Sequence, residues 1–192
     1  MIDPLAKDEE MMAATAQGDE HAFEILVKRY QGRVLNLIYR FVGDRTQAKD
    51  LAQEVFVRVW QAAKGYKPKA KFTTWVYRIA ANLCFNELKS SGKKKLLISE
   101  GPIKESQTLN EETSDVSPSG EDIVLAEERS RQISEALQSL PENQRMALIL
   151  KKYDNLSYQE IARVMGCSVS AVESLLVRAK RNLQEKLISQ EK

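Results

Sequence analysis

LSYQEIARVMGCSVSAVESLLVRAKRNL, residues 156–183, is the stretch whose side-chain order decides the architecture. Ser157 and Glu160 stand in the S-x-x-E spacing of a capping box, where two side chains satisfy each other's free backbone N–H groups and start a helix. Ile161, Ala162 and Met165 fall on its inner side, and Ala162 is small enough to admit a crossing helix. Gly166 supplies a tight turn, since glycine takes positive φ without a Cβ penalty. Cys167 then plugs the core and Ser168 caps a second helix, anchored from below by Val172, Leu175 and Leu176. A small residue, a turn glycine and a buried valine at these offsets predict a helix-turn-helix.

The outward positions of that second helix are Ser170, Ala171, Glu173, Ser174, Val177, Arg178 and Arg181. Ser170, Glu173, Ser174 and Val177 are placed to meet base edges, and Arg178, Lys180 and Arg181 to meet phosphates. A plain helical hairpin with a solvated face is the competing reading.

Upstream, Leu137 and Leu140, with Ile123, Val124, Leu125 and Ile133, predict a scaffold helix ending before Pro141. Another follows through Met146, Leu148, Ile149 and Leu150 to Tyr153. From Ser99 to Asp122 the chain is rich in Ser, Thr, Glu, Gly and Pro with little apolar periodicity, which is linker composition. Counted over 96–122, a flexible tether spans ~30 Å on average and ~90 Å at full stretch.

The second informative stretch is FTTWVYRIAANLCFNELKSSGKKK, residues 72–95. Trp75, Ile79, Leu83 and Leu88 keep the approximate spacing of an inner face, interleaved with Val76, Ala80 and Cys84. Thr74, Arg78, Ala81, Asn82, Phe85, Asn86 and Lys89 take the opposite face. Ser90, Ser91 and Gly92 end the helix, and Lys93–Lys95 follow. Rings stack on unpaired bases, amides read base edges and cations follow phosphates, so the outer face suits single-stranded nucleic acid. By stripe evidence alone, the favoured reading has Phe85 and Tyr77 as rings that complete a helical core.

Before it, Ala22, Phe23, Leu26, Val27 and Tyr30, then Val34, Leu37, Ile38, Phe41 and Val42, form core-facing helical patterns that close at Gly43. Asp44 caps the next helix, which runs to about Ala63 with Ala48, Leu51, Ala52, Val55, Phe56, Val59 and Trp60 as a wide buried stripe. Its other face carries Asp50, Gln53, Glu54, Val57 and Gln61. This acidic, amide-bearing ridge repels nucleic acid; it faces solvent or docks a basic protein. The loop GYKPKAK, residues 65–71, sets three lysines just ahead of the aromatic helix.

Charge follows the same division. Residues 1–98 hold 17 Lys/Arg against 11 Asp/Glu, residues 99–144 hold 3 against 11, and residues 145–192 hold 9 against 5. Two basic blocks flank an acidic one, as expected of two nucleic-acid-facing modules joined by a segment that avoids phosphate. With His21 the sole histidine, no metal-ligand spacing exists, and no cofactor is expected. Cys84 and Cys167 read as small buried hydrophobes. No run has the apolar length of a membrane span, and MIDPLAKDEE is too acidic for a signal peptide, so a cytoplasmic chain without membrane contact is expected.

Three segments together, AKDLAQEVFVRVW (48–60), FTTWVYRIAANLCFNELK (72–89) and LSYQEIARVMGCSVSAVESLLVRAKR (156–181), resemble the bacterial extracytoplasmic-function (ECF) sigma factors. These are the small two-domain group of the housekeeping-type sigma family. The resemblance implies an all-α chain of two small helical domains, 1–95 and 123–192, joined by a flexible acidic linker at 96–122. It implies that Asp50, Gln53 and Glu54 dock the clamp helices of core RNA polymerase. It implies that Lys71, Arg78, Asn82, Phe85, Asn86 and Lys89 capture the melting −10 element, with Asn82 at the pocket for a flipped base. The −35 reader is then the helix-turn-helix, through Ser170, Glu173, Ser174, Val177, Arg178 and Arg181.

The partners implied are core RNA polymerase, promoter DNA and an anti-sigma protein. Glu173 and Leu175 stand where family members often carry cations, and Asn86 where Asp is common, so the −35 sequence does not transfer from other members. No nucleophile–base pair, metal cluster or phosphate-binding glycine loop supports an enzyme. A free-standing helix-turn-helix regulator explains residues 156–183 but leaves the ridge and the aromatic helix without a job.

Overall fold

The computed structural model describes residues 6–67, 70–95 and 131–190. In chain order they form α1 (Asp8–Ala16), α2 (Glu20–Val42), α3 (Arg45–Ala62), a 3-10 turn (Ala63–Gly65) and α4 (Phe72–Lys95). Then come α5, helical over 131–138, α6 (Glu142–Lys152), α7 (Tyr158–Met165) and α8 (Val169–Gln190). The expected linker at 96–122, the apolar start at Ile123–Leu125, Pro68, Lys69 and the side chains of Lys93–Lys95 lie outside the described residues.

Side-chain caps open α2, α3, α7 and α8. Asp19 accepts from the Ala22 N–H at 3.0 Å and Asp44 from the Gln47 N–H at 2.7 Å, each satisfying a donor that the helix start leaves free. Ser157 and Glu160 form the reciprocal box that opens α7, and Gly166 closes that helix at φ 66°. The Ser168 hydroxyl accepts from the Ala171 N–H at 3.2 Å and starts α8.

The first unit packs α2, α3 and α4 together around Leu26, Leu37, Ile38, Phe41, Val55, Val59, Val76, Ala80 and Cys84, all fully or nearly fully buried. Desolvation of Cys84 pushes its thiol up to about 12, so it serves as a small apolar filler. Cys167 is only half-buried. The second unit packs α6, α7 and α8 around Met146, Ile149, Leu150, Ile161, Val164 and Val172.

Several elements differ from the sequence expectation. α1 has no apolar stripe, yet it buries the adjacent Met11 and Met12 completely, with Asp8 accepting from Arg29 and Tyr30 of α2. The two apolar patterns between Ala22 and Val42 form one continuous helix. α4 does not end at Ser90–Gly92 but runs to Lys95; the Ser90 hydroxyl donates to the Glu87 carbonyl at 2.8 Å, so this serine is accommodated within the helix. Ile133, expected in the core, is 50% exposed.

The two units touch. Helix α2 ends with free carbonyls that the second unit satisfies: Gln138 Nε2 donates to Arg40 and Phe41 at 3.2 and 3.1 Å, and Arg145 Nη1 donates to Phe41 at 2.6 Å. At Gly43 φ is +82°, which favours glycine, and a Cβ there would stand 3.0 Å from the Gln138 side chain, which would have to shift. Arg40 lies over the Tyr153 ring at 4.1 Å. Helix α4 is therefore packed between α2 and α3 of its own unit and α7 of the other.

Candidate nucleic-acid interface

Helix α4 exposes Arg78, Asn82, Asn86 and Lys89, spaced so that they form one polar strip. The other expected outward positions behave differently. Thr74 is 3% and Ala81 1% exposed. Phe85 is half-buried, its ring edge-on to Phe41 at 5.4 Å between centroids. The expectation of an outward ring at Phe85 is thus corrected: the ring is engaged with the core, because α4 buries more than one stripe.

Tyr77 and Lys71 meet the second unit. The Tyr77 hydroxyl donates to Asp154 at 2.6 Å; burial, then the Asp154 charge, raises the phenol well above its ordinary range. Burial likewise raises the Asp154 carboxyl, against the opposing pull of Tyr77, Arg40 and Arg33. Lys71 reaches the capping carboxylate of Glu160 at 3.0 Å. Hydrogen bonding from the Ser157 backbone, then from Lys71, holds that carboxyl down at about 2.

On α8, Ser170, Glu173, Ser174, Val177, Arg178 and Arg181 are all exposed. Val172 and Ala179 are fully buried, and Asn182 donates to Gln144 of α6 at 2.8 Å. Those anchors hold the opposite side of the helix down and leave this face open. Leu175 and Leu176, expected below, are half-buried. The Ser170 hydroxyl lies 3.0 Å from that of Ser168, which ties it to the helix cap.

On α3, Asp50 and Gln53 are exposed, while Glu54 is half-buried and paired with Arg58 at 2.7 Å. Beside this ridge lies a feature missed in the sequence: an apolar groove of about 1010 Å³ between α2 and α3, lined by Phe23, Val27, Leu35, Phe56, Val57 and Trp60, with Gln53 on its rim. Trp60, expected in the buried stripe, is 37% exposed and packs against Phe23 at 5.0 Å. The signal was present in α2, where Phe23, Val27 and Leu35 form a second apolar row beside the core row of Ala22, Leu26, Tyr30 and Val34. A groove of this kind suits an apolar partner face.

The family description Sigma-70 region 2 matches residues 26–94, and Sigma-70, region 4 matches residues 130–183. The chain is 34% identical to the RNA polymerase sigma-H factor of Pseudomonas aeruginosa over 187 residues, 94% of each chain. It is 33% identical to the ECF RNA polymerase sigma-E factor of Escherichia coli over 182 residues, again 94% of each. The solved structure of CnrH in complex with the cytosolic domain of CnrY shares the fold, with a TM-score of 0.66 and 24% identity over 95% of this chain and 97% of that one. The sigma-70 regions, the near-full-length relatives and the two helical units identify the chain as a member of the ECF group of RNA polymerase sigma factors.

Proposed function

We propose that three separate faces divide the sigma-factor work. The observation that carries this reading is the presence, in one chain, of two helix faces suited to nucleic acid and an apolar groove suited to protein, with Gln53 of the acidic ridge in its lining. Residues 1–95 form the unit that docks polymerase and holds the −10 element. Residues 123–192 form the −35 unit, and 96–122 link them.

Asp50, Gln53 and Glu54 meet basic side chains of the polymerase clamp, and the adjoining groove receives an apolar helix face. Arg78, Asn82, Asn86 and Lys89 hold unpaired bases of the non-template strand, while α8 lies in the major groove of the upstream duplex. Flipping a base out of the stack costs a few kcal/mol, and stacking plus pocket contacts return ~1–3 kcal/mol per base. The chain supplies no covalent chemistry; nucleotide addition belongs to the polymerase, in the cytoplasm.

Packed helices stand about 8–10 Å apart, whereas promoter elements two helical turns apart are separated by ~70 Å. The contact between α4 and α7 must therefore open on the promoter, freeing Lys71 for phosphate. An anti-sigma protein is the proposed regulator, on the precedent of sigma factor RpoE in complex with the anti-sigma factor NepR from Bartonella quintana.

Run-off transcription from a promoter library, with and without bacterial core polymerase, tests the reading. Selective initiation that needs both components is the expected result. Selective DNA binding by the chain alone, with no initiation, would instead support a free-standing regulator.

A further inference from the structure

The recognition face of α8 is divided along its length. Its cations, Arg178, Lys180 and Arg181, lie beyond the first two turns. The part that enters a major groove first in a helix-turn-helix presents Ser170, Glu173, Ser174 and Val177, with no cation among them. Glu173 is exposed and makes no ion pair among the described residues, whereas Glu185 further along the helix pairs with Arg181.

A carboxylate facing phosphates is repelled, so this position needs a compensating donor on the DNA. An ionised carboxylate only accepts hydrogen bonds. The major groove offers two base donors, cytosine N4 and adenine N6, and adenine sets its N7 acceptor beside N6 while cytosine carries no acceptor on that edge. Cytosine is the matching base. Ser170 is tied to Ser168, which leaves Glu173 as the longest unengaged polar side chain of the four. One turn on, about 6 Å along the axis, Val177 is 69% exposed and offers an apolar surface to a thymine methyl.

We propose that Glu173 is a specificity residue of the upstream promoter contact, selecting cytosine through its N4 amino group, with Val177 meeting a thymine methyl nearby. This rests on the placement of α8 in the −35 major groove. The test is initiation by the holoenzyme, assembled with bacterial core polymerase, on a library randomised in the upstream element, comparing wild type with Glu173→Ala, Glu173→Gln and Val177→Ala.

Wild type is expected to enrich cytosine at one position. Glu173→Ala lowers that enrichment roughly 10-fold and leaves distant positions alone. Glu173→Gln moves the preference to adenine, since a Gln amide pairs with N6 and N7 together. Val177→Ala weakens a neighbouring thymine preference. Upstream preferences that are identical in wild type and Glu173→Ala would overturn the inference while leaving α8 on the DNA. A wild type with no upstream preference at all would overturn both.

Discussion

Lys71 Nζ lies 3.0 Å from Glu160 Oε1, so the residue just before α4 pairs with the carboxylate that caps the first helix of the helix-turn-helix. One acidic side chain therefore serves two structures: it closes the Ser157 box within the second unit and ties that unit to the first. Since the lysine is 76% exposed, its share of the pair is small, within ~0–1 kcal/mol. Glu160→Ala is expected to cost ~1 kcal/mol through the lost cap, and Lys71→Ala clearly less, read from urea midpoints.

The same carboxylate sets a pH term. Its folded value of about 2 lies below its ordinary 4.5, so its contribution is complete above 4.5 and is lost as pH falls through about 2. Asp154 runs the other way. Its raised value means that charging this part-buried carboxyl costs stability, so its contribution is complete below the ordinary carboxylate range and is lost as pH climbs through it, although the Tyr77 bond itself favours the charged form. Asp154→Asn keeps an acceptor for Tyr77 without the buried charge, so it should flatten the second slope and preserve the contact. Asp154→Ala, which strands the Tyr77 hydroxyl, should cost ~1–3 kcal/mol. Equal unfolding midpoints for the two variants across pH would count against this pair as a structural contact.

Arg145 is 6% exposed and donates to Phe41 of the first unit and to Gln138 and Leu140 of its own. Arg145→Ala removes these bonds to carbonyls and should cost ~2–4 kcal/mol. Small-angle scattering should show a larger radius of gyration as the units part. A radius identical to wild type would mean that other contacts hold the units together.

Phe85 and Asn82 separate packing from base contact. Phe85→Ala should lower stability by ~1–2 kcal/mol, below the range for a fully buried ring, because its contact with Phe41 is lost. Asn82→Ala, at an exposed site, should stay within ~0.5 kcal/mol of wild type yet impair promoter opening, followed by permanganate reactivity of unpaired thymines. Normal opening in the Asn82 variant would remove that residue from the −10 site.

Gly32 offers a sharper test of the groove. It sits inside α2, where glycine costs ~1 kcal/mol relative to alanine, and a Cβ there would meet nothing within 4 Å. Internal packing does not demand it, but it lines the groove. Gly32→Ala should raise the melting temperature and weaken core-polymerase affinity by adding a methyl group to the groove lining. The pair Asp50→Lys with Glu54→Lys should weaken docking as well. Full polymerase affinity in both variants would take this side of α3 out of the docking surface.

Much of this was legible because the deciding signals are local. The Ser157–Glu160 box, the Gly166 turn, the Asp44 cap and the row Leu26–Tyr30–Val34 each need only neighbours three or four residues away. The exposed set on α8 followed from the same periodicity. Local reading failed where a second surface intervened. Trp60 belongs by spacing to the buried stripe of α3, yet it lines a groove between α2 and α3 that leaves it partly open. Met11 and Met12 belong to no apolar repeat along α1, but α1 is covered by both α2 and the 3-10 turn.

By itself, the sequence determined the helical character of α2–α4 and α6–α8, the caps at Asp44, Ser157 and Ser168, the helix-turn-helix and the family, because each depends on residue order along one strand of chain. Only the tertiary structure decided which polar positions of α4 remain open, that Phe85 turns to Phe41, and that Lys71, Tyr77 and the end of α2 meet the second unit. Those outcomes depend on burial between segments far apart in the chain, Tyr77 with Asp154 and Phe41 with Arg145, and helical periodicity carries no record of which distant surface comes to cover a given face.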